Sequence, residues 1–290
     1  TRALLGLLFS NSAVFKTRGK SHLVFDEITF STRPSNEVDS VAVRALGLLA
    51  ANTGSKAPSS SFKSLADHPE LTKLLTQRLY LASFSADRQN VMSAIKEMQI
   101  AEASVSDIIS ILVPAAARKL GQDWVNDTAS FGAVTIGCAR LQACVHHLER
   151  NFAERPLKDR AHETNCLVVV PQGAQHTLGA VVLAAELRQA GPHAQLALDV
   201  CPEKMARLVN DEHFDVVMIS AALGQNIETL RALVSAARRK DDRSKVIIGG
   251  SLISSEKNLK KATLSDDVTS DWHTAVNLGT SGLQNAEAKP

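Results

Sequence analysis

The sequence predicts an α + α/β fold: a helical bundle followed by a five-stranded, doubly wound parallel sheet, within 290 residues. Three observations carry this. Residues 67 to 153 place apolar side chains at helical spacing throughout. Beyond residue 162, short apolar runs alternate with amphipathic segments, the pattern of strands buried on both faces and joined by helical crossovers. Between the two regions lies a charged, proline-containing link, Glu154-Arg-Pro-Leu-Lys-Asp-Arg160. With 44% apolar residues, a chain of this length can build two ordinary cores.

Taken in order, residues 1–66 read as a mostly flexible N-terminal region with one short helix at Val38 to Ala50, ending in the low-complexity run Ala51 to Ser61. The four helices of the bundle, residues 67–153, are expected at Pro69 to Ala82, Ala86 to Ile100, Ser104 to Gly121 and Ser130 to Phe152. Gly121 is taken as a helix C-terminus, and the short connections favour antiparallel neighbours. The α/β unit, residues 162–282, has strands at Cys166 to Val170, Gln195 to Val200, Asp215 to Ser220 and Lys245 to Gly249, with a weak fifth at Asp266 to Thr269. Helices are expected at 177–190, 202–210, 226–239, 254–261 and 271–278. Right-handed crossovers then give a flavodoxin-like sheet of order 2-1-3-4-5, with residues 283–290 as a flexible tail.

Composition excludes several functions. Thirty-two Lys and Arg against 30 Asp and Glu leave a net charge of +2, too little to draw the chain to nucleic acid or an anionic membrane. Cys138, Cys144, Cys166 and Cys201 form no CxxC pair, which points to reduced thiols in a cytoplasm rather than zinc or disulfides. The apolar stretch Ala3 to Phe9 is too short to span a bilayer and lacks a cleavage site for secretion.

In a doubly wound sheet, ligands bind beyond the carboxyl ends of the strands where strand order reverses, here between the first and third strands. Three features converge there. His176 lies in the loop after strand one, Ser220 ends strand three, and Gly249-Gly250 ends strand four. Glycines at strand ends let a ligand approach the backbone closely.

The spacing of these residues resembles a known signature. His176-Thr-Leu-Gly179, 40 residues, Ser220, then 26 residues between Ala222 and Gly249-Gly250 is similar to the Asp-x-His-x-x-Gly, Ser-x-Leu, Gly-Gly pattern of cobalamin-binding methionine synthase and corrinoid proteins. The resemblance implies that His176 is the lower axial cobalt ligand, displacing the dimethylbenzimidazole base. Gln175, Thr177 and Leu178 flank it, Gly179, Ser220, Gly249 and Gly250 line the slot for the displaced nucleotide tail, and Ala222 is a further cofactor-binding position. Neutral imidazole suits such a metal. Two positions depart from the pattern: Ala174 replaces the Asp and Ala222 the Leu. The absent carboxylate would have accepted the histidine's second N–H, a bond that Gln172, Gln175 or a backbone carbonyl can supply without the charge. That loss argues against methyl-transfer chemistry.

The helical half resembles the cap over the upper face of cobalamin. The carrying residues are Leu120-Gly-Gln-Asp-Trp124, Phe131-Gly-Ala-Val-Thr-Ile-Gly137 and Arg140-Leu-Gln142, with Trp124 and Phe131 implied to press on the corrin. Adenosylcobalamin photoreceptor-repressors carry Glu-His at the positions of Val134 and Thr135, so the upper-ligand histidine is missing here. No winged or helix-turn-helix DNA domain is readable in the N-terminal region. "FGAVTIGCARLQ" with "QHTLGAVVLAAELR" instead looks like the photosynthesis-gene antirepressors of the AerR/PpaA type. That resemblance covers residues 67 to 280. It implies no catalytic centre, a hydroxo/aquo- or methylcobalamin rather than the adenosyl form, and contact with a separate redox-responsive repressor of the PpsR/CrtJ type. His146 and His147 point to different helix faces and are poor candidates for an upper ligand. The competing readings are a corrinoid carrier for methyl transfer and a cofactor-free interaction module.

Overall fold

The computed structural model describes residues 64–85, 87, 89–150, 164–238 and 244–286. The expected helix at Val38 to Ala50, the Ser-rich run and the link at Glu154 to Arg160 lie outside the described residues. A 3-10 turn, Leu65–Asp67, is capped by the Ser64 hydroxyl and leads into α1, Pro69–Phe84. Proline suits that first turn, where an N–H would have no helical partner. Leu71, Leu75, Leu79 and Ala82 form its buried stripe. In α2, Gln89–Ile100, the stripe is Val91, Ala94, Ile95 and Met98. The helix ends where Glu102 turns left-handed (φ 58°) and the Ala103 N–H reaches back to the Met98 carbonyl, 3.0 Å. Between α1 and α2, Glu97 accepts a bidentate pair of bonds from the buried Arg78 at 2.7 and 2.8 Å.

Ser104 starts the third helical segment, its hydroxyl accepting from the Asp107 N–H. One α turn, Val105–Asp107, widens into a π-helical stretch, Ile108–Leu112, before α3, Val113–Val125. Pro114 explains the widening: it offers no N–H to the preceding turn, and the Val113 N–H closes a wider loop onto the Ile108 carbonyl. Gly121 was expected to end this helix but lies inside it, buried. The stop falls at Asn126 and at Asp127, which adopts φ 55°. In α4, Phe131–Arg150, Gly137 permits close approach to α3, since a Cβ there would lie 3.0 Å from Leu120.

The α/β half is a parallel sheet in the order β2-β1-β3-β4-β5, as the run pattern predicts. Its strands are β1 (Asn165–Pro171), β2 (His193–Val200), β3 (Val216–Ser220), β4 (Lys245–Gly249) and β5 (Asp267–Val268). Its helices are α5 (Leu178–Ala190), α6 (Pro202–Asp211), α7 (Ile227–Ala237), α8 (Leu259–Thr263) and α9 (Trp272–Ala286). Alternate residues of β1 face opposite cores. Leu167 and Val169 pack with α6, α7 and α8, whereas Cys166, Val168 and Val170 pack with α5 and α9. The segment expected as helix from 254 begins as a 3-10 turn, Ser251–Ser254, and α9 runs past the expected limit at 278. Its Gly279 is buried where a Cβ would collide with Val216. Packing against β3 requires a glycine there.

Helix α5 lies between sheet and bundle. Ala180, Leu183, Ala184 and Leu187 face the sheet, while Leu178, Val181, Val182 and Ala185 enter the bundle core. This double burial accounts for a sequence apolar on nearly all sides. The exception is Glu186, only 8% exposed, whose carboxyl is pushed up to about 7 by desolvation. Its folded pKa lies above its unfolded value, so the folded chain holds a proton that the unfolded chain releases. Stability should therefore fall as pH rises from about 4.5 to about 7, by on the order of 3 kcal/mol. Thermal melts at pH 5 and pH 8 should differ in the wild type and converge in Glu186→Gln.

Candidate functional site

Pro171 ends β1, and the chain turns at once: the Ala174 N–H donates to the Pro171 carbonyl and Gly173 adopts φ 73°. Two bonds pin this turn to the end of β2, from the Gln172 N–H to the Val200 carbonyl and from the Gly173 N–H to the Asp199 carboxylate, each 3.0 Å. His176 follows on the exposed side of the loop, one residue before Thr177, the N-cap of α5. Desolvation lowers its pKa, which keeps the imidazole neutral and fit for a metal. Ala174 is half-buried against the cluster of Val168, Ala180 and Ala184, an apolar setting unsuited to a carboxylate. The Gln175 amide turns back to the Gly173 carbonyl, 3.3 Å.

Ser220 and Gly249 are register partners at the ends of β3 and β4. Beyond them the two loops cross. The Ala221 N–H donates to the Gly249 carbonyl (2.7 Å), the Leu252 N–H to the Ala221 carbonyl (3.1 Å), and the Leu223 N–H to the Ser251 hydroxyl (3.1 Å). Gly250 sits at this crossing with φ 108°, and a Cβ there would collide with the Ala221 carbonyl oxygen and lie 3.0 Å from its nitrogen. Ala222 is buried, its N–H held by the Gln225 side chain at 3.0 Å.

A small cleft, open to solvent, lies beside these strand ends. Its walls are Leu183, Met218, Ile219, Ser220, Ile247, Gly249, Thr269, Asp271, Trp272 and Ala275. Of the residues expected at the cofactor, Ser220 and Gly249 lie in the walls of this cleft. Gly179 stands one turn before Leu183 on α5, and His176, Ala222 and Gly250 lie outside the walls. Thr269, Asp271 and Trp272 had no counterpart in the motif; they come from β5 and α9, about a hundred positions beyond His176. The one sequence signal was a tryptophan opening the last amphipathic segment.

In the bundle, Trp124 and Phe131 lie on either side of the α3–α4 connection, their rings 6.2 Å apart and both exposed. The connection is organised around Asp123. Its carbonyl accepts from the Thr128 N–H (2.8 Å), the Thr128 hydroxyl (3.0 Å) and the Ala129 N–H (3.2 Å), while its carboxylate accepts from the buried Tyr80 hydroxyl. One face of α4 carries Phe131, Thr135, Cys138, Gln142 and Glu149. Gln142 donates to the Thr177 hydroxyl and Glu149 pairs with Arg188 at 2.7 Å, so this face docks beside His176. Thr135 is exposed, its hydroxyl donating to the Phe131 carbonyl. Val134 and Leu178, both expected at the cofactor, are instead buried in the bundle core, because helical phase turns them inward. His146 and His147 are exposed about 22 Å along α4 from Phe131, with His146 beside Glu149.

The donor set suits a corrinoid, whose macrocycle brings its own equatorial nitrogens. Among the described residues no group of three or more His, Cys, Asp or Glu could hold a bare metal ion, whereas the single imidazole of His176 stands in the exposed loop after β1. Burial pushes the Cys144 and Cys166 thiols up to about 12 and Cys138 up to about 11, away from thiolate chemistry. No helix among the described residues is long and apolar enough to cross a membrane.

Comparison with known proteins agrees with this geometry. Residues 164–276 match the family model described as B12 binding domain. The "Uncharacterized 20.5 kDa protein in bchF-crtJ intergenic region" of Rhodobacter capsulatus is 31% identical over 181 residues, spanning 62% of this chain and 94% of that one. Among solved structures, the Methanosarcina barkeri monomethylamine corrinoid protein superposes with a TM-score of 0.59 at 13% identity, covering 72% of this chain and 99% of that chain. That likeness is one of fold.

Proposed function

Since the chain belongs to the family of the Rhodobacter capsulatus bchF-crtJ intergenic protein and carries a B12 binding domain, we propose that it is a light-responsive antirepressor of photosynthesis genes, of the AerR/PpaA type. The observation that carries this reading is the coincidence of a cobalamin site with a relative from a photosynthesis gene region. The proposed partner is a redox-responsive repressor of the PpsR/CrtJ type, met in the cytoplasm without strong DNA binding by this chain and without catalysis.

Cobalamin, when bound, would supply a light-sensitive cobalt centre. His176 would hold the cobalt through its neutral imidazole, and Ser220 and Gly249 would border the nucleotide tail. Trp124 and Phe131 would cover the corrin and keep water from it. With Thr135 where photoreceptor-repressors place a histidine, the site favours a hydroxo/aquo- or methylcobalamin over the adenosyl form. The contact of Gln142 with Thr177 ties the cap to the residue after His176, so a shift of the His176 loop would bias the cap and, through it, partner affinity.

A corrinoid carrier for methyl transfer is the second reading, favoured by the shared fold with the Methanosarcina protein. Ala174 weighs against it, because no carboxylate stands there to raise the basicity of His176. Retention of the chain on immobilised repressor separates the two. The antirepressor reading expects at least about fivefold more retention after illumination with cobalamin than in the dark or without cofactor. Retention indifferent to light and cofactor would contradict it.

A further inference from the structure

We infer that Asp199, at the end of β2, is a positioning residue for the imidazole of His176: it anchors the β1–α5 turn from the neighbouring strand, where position 174 brings no acid. This rests on the cobalamin reading above and adds to it a residue that acts on the cofactor only through His176.

Strand β2 is irregular at this point, and the irregularity serves the turn. Val169 pairs with Ala197 but Pro171 pairs with Val200, so β2 carries one extra residue against β1. Such a bulge re-aims the side chains beside it. Leu198 is turned out to solvent, 42% exposed, and Asp199 adopts φ 53°. That left-handed region is unfavourable for any residue with a side chain, least so for Asp and Asn. The first turn of α6 holds the bulge in place: the Lys204 ammonium donates to the Leu198 carbonyl at 2.7 Å and to the Asp199 carbonyl at 3.5 Å. A sparsely populated backbone conformation, clamped by a second element, marks a position kept for what its side chain does.

The side chain reaches across to the end of β1. Its carboxylate accepts from the Gly173 N–H at 3.0 Å, and the Gly173 carbonyl accepts from the amide of Gln175, the residue before His176, at 3.3 Å. A Cβ on Gly173 would meet nothing within 4 Å, so at this residue the turn is held by its bond and not by packing. An acid beside the imidazole would orient the ring and raise its basicity. Asp199 instead fixes the backbone that carries the ring, which supplies placement without charge at the ring itself.

Two substitutions separate the side-chain bond from the backbone strain. Asp199→Gly adopts φ 53° freely and removes the acceptor, whereas Asp199→Asn tolerates the same backbone and keeps an oxygen for the Gly173 N–H. In the cofactor-free chain, hydrogen exchange at the Gly173 amide should be about fivefold or more faster in Asp199→Gly and within about twofold of wild type in Asp199→Asn. Titrated with hydroxocobalamin, Asp199→Gly should bind about fivefold or more weaker, with a smaller histidine-ligated share in the visible spectrum. Asp199→Asn should restore both. In a His176→Ala background, Asp199→Gly should change the affinity by less than about twofold, because its effect passes through the imidazole. Equal losses in the two backgrounds would overturn the inference, as would an asparagine variant no better than the glycine variant, or a glycine variant with wild-type exchange, affinity and spectrum. Failure of hydroxocobalamin to bind the wild type would overturn the cobalamin reading and the role of Asp199 at the imidazole together. The exchange rates, read without cofactor, would then still show whether Asp199 anchors the turn.

Discussion

Replacing His176 by alanine should abolish the spectrum of base-off, histidine-ligated cobalamin and weaken binding. Hydrogen-bonding partners of metal-bound histidines are worth about 10- to 100-fold in affinity, so losing the ligand itself should cost at least about 100-fold. The loop around it should survive, because its bonds are backbone and Asp199 contacts that the imidazole does not make. An unchanged circular dichroism spectrum together with lost corrin affinity separates ligand loss from unfolding. The same ligation has a pH dependence of fixed sign. Desolvation holds the His176 pKa below its usual 6.5, so at neutral pH the imidazole is in the neutral form that a metal requires. The axial bond should be lost only as pH falls through that lowered value. A His176→Ala protein that keeps the wild-type spectrum would remove the axial assignment.

Gly250→Ala should be the most damaging single substitution at the strand ends. The backbone at φ 108° and ψ −174° is a conformation essentially reserved for glycine, and the added methyl group would collide with the Ala221 carbonyl. That carbonyl accepts from Leu252 while the Ala221 N–H donates to Gly249, so the β3 and β4 loops cannot separate without losing both bonds. Backbone strain and overpacking together should cost about 2–5 kcal/mol. Denaturant unfolding would measure this directly, with Gly173→Ala as the comparison. Gly173 also has positive φ but meets nothing within 4 Å of a Cβ, so its cost should be strain alone, about 1–2 kcal/mol.

The parallel sheet was legible because strands buried on both faces leave continuous apolar runs, and β1, β3 and β4 are such runs. The placement of His176, Ser220 and Gly249-Gly250 followed from topology, since strand ends at a switch point fall on one edge whatever the side chains do. Orientation around a helix axis was less accessible. Val134 and Leu178 lie beside good site candidates in sequence, yet each turns into the bundle core. Gly121 was misleading because it is a buried glycine inside a helix, where tertiary packing overrides the residue's usual place at an end. The walls from Thr269 to Ala275 were not legible, because only the packing of α9 against the sheet brings them to the strand ends. Ala174 was noticed as a missing acid; its apolar surroundings explain why the loop holds together without one.

The most direct measurement is the visible spectrum of the chain after incubation with hydroxocobalamin and removal of free cofactor by gel filtration. The cobalamin site predicts that corrin absorption co-elutes with the protein at close to one equivalent, in the base-off, histidine-ligated form. A colourless protein, or one carrying cobalamin with its own benzimidazole still on cobalt, would contradict it.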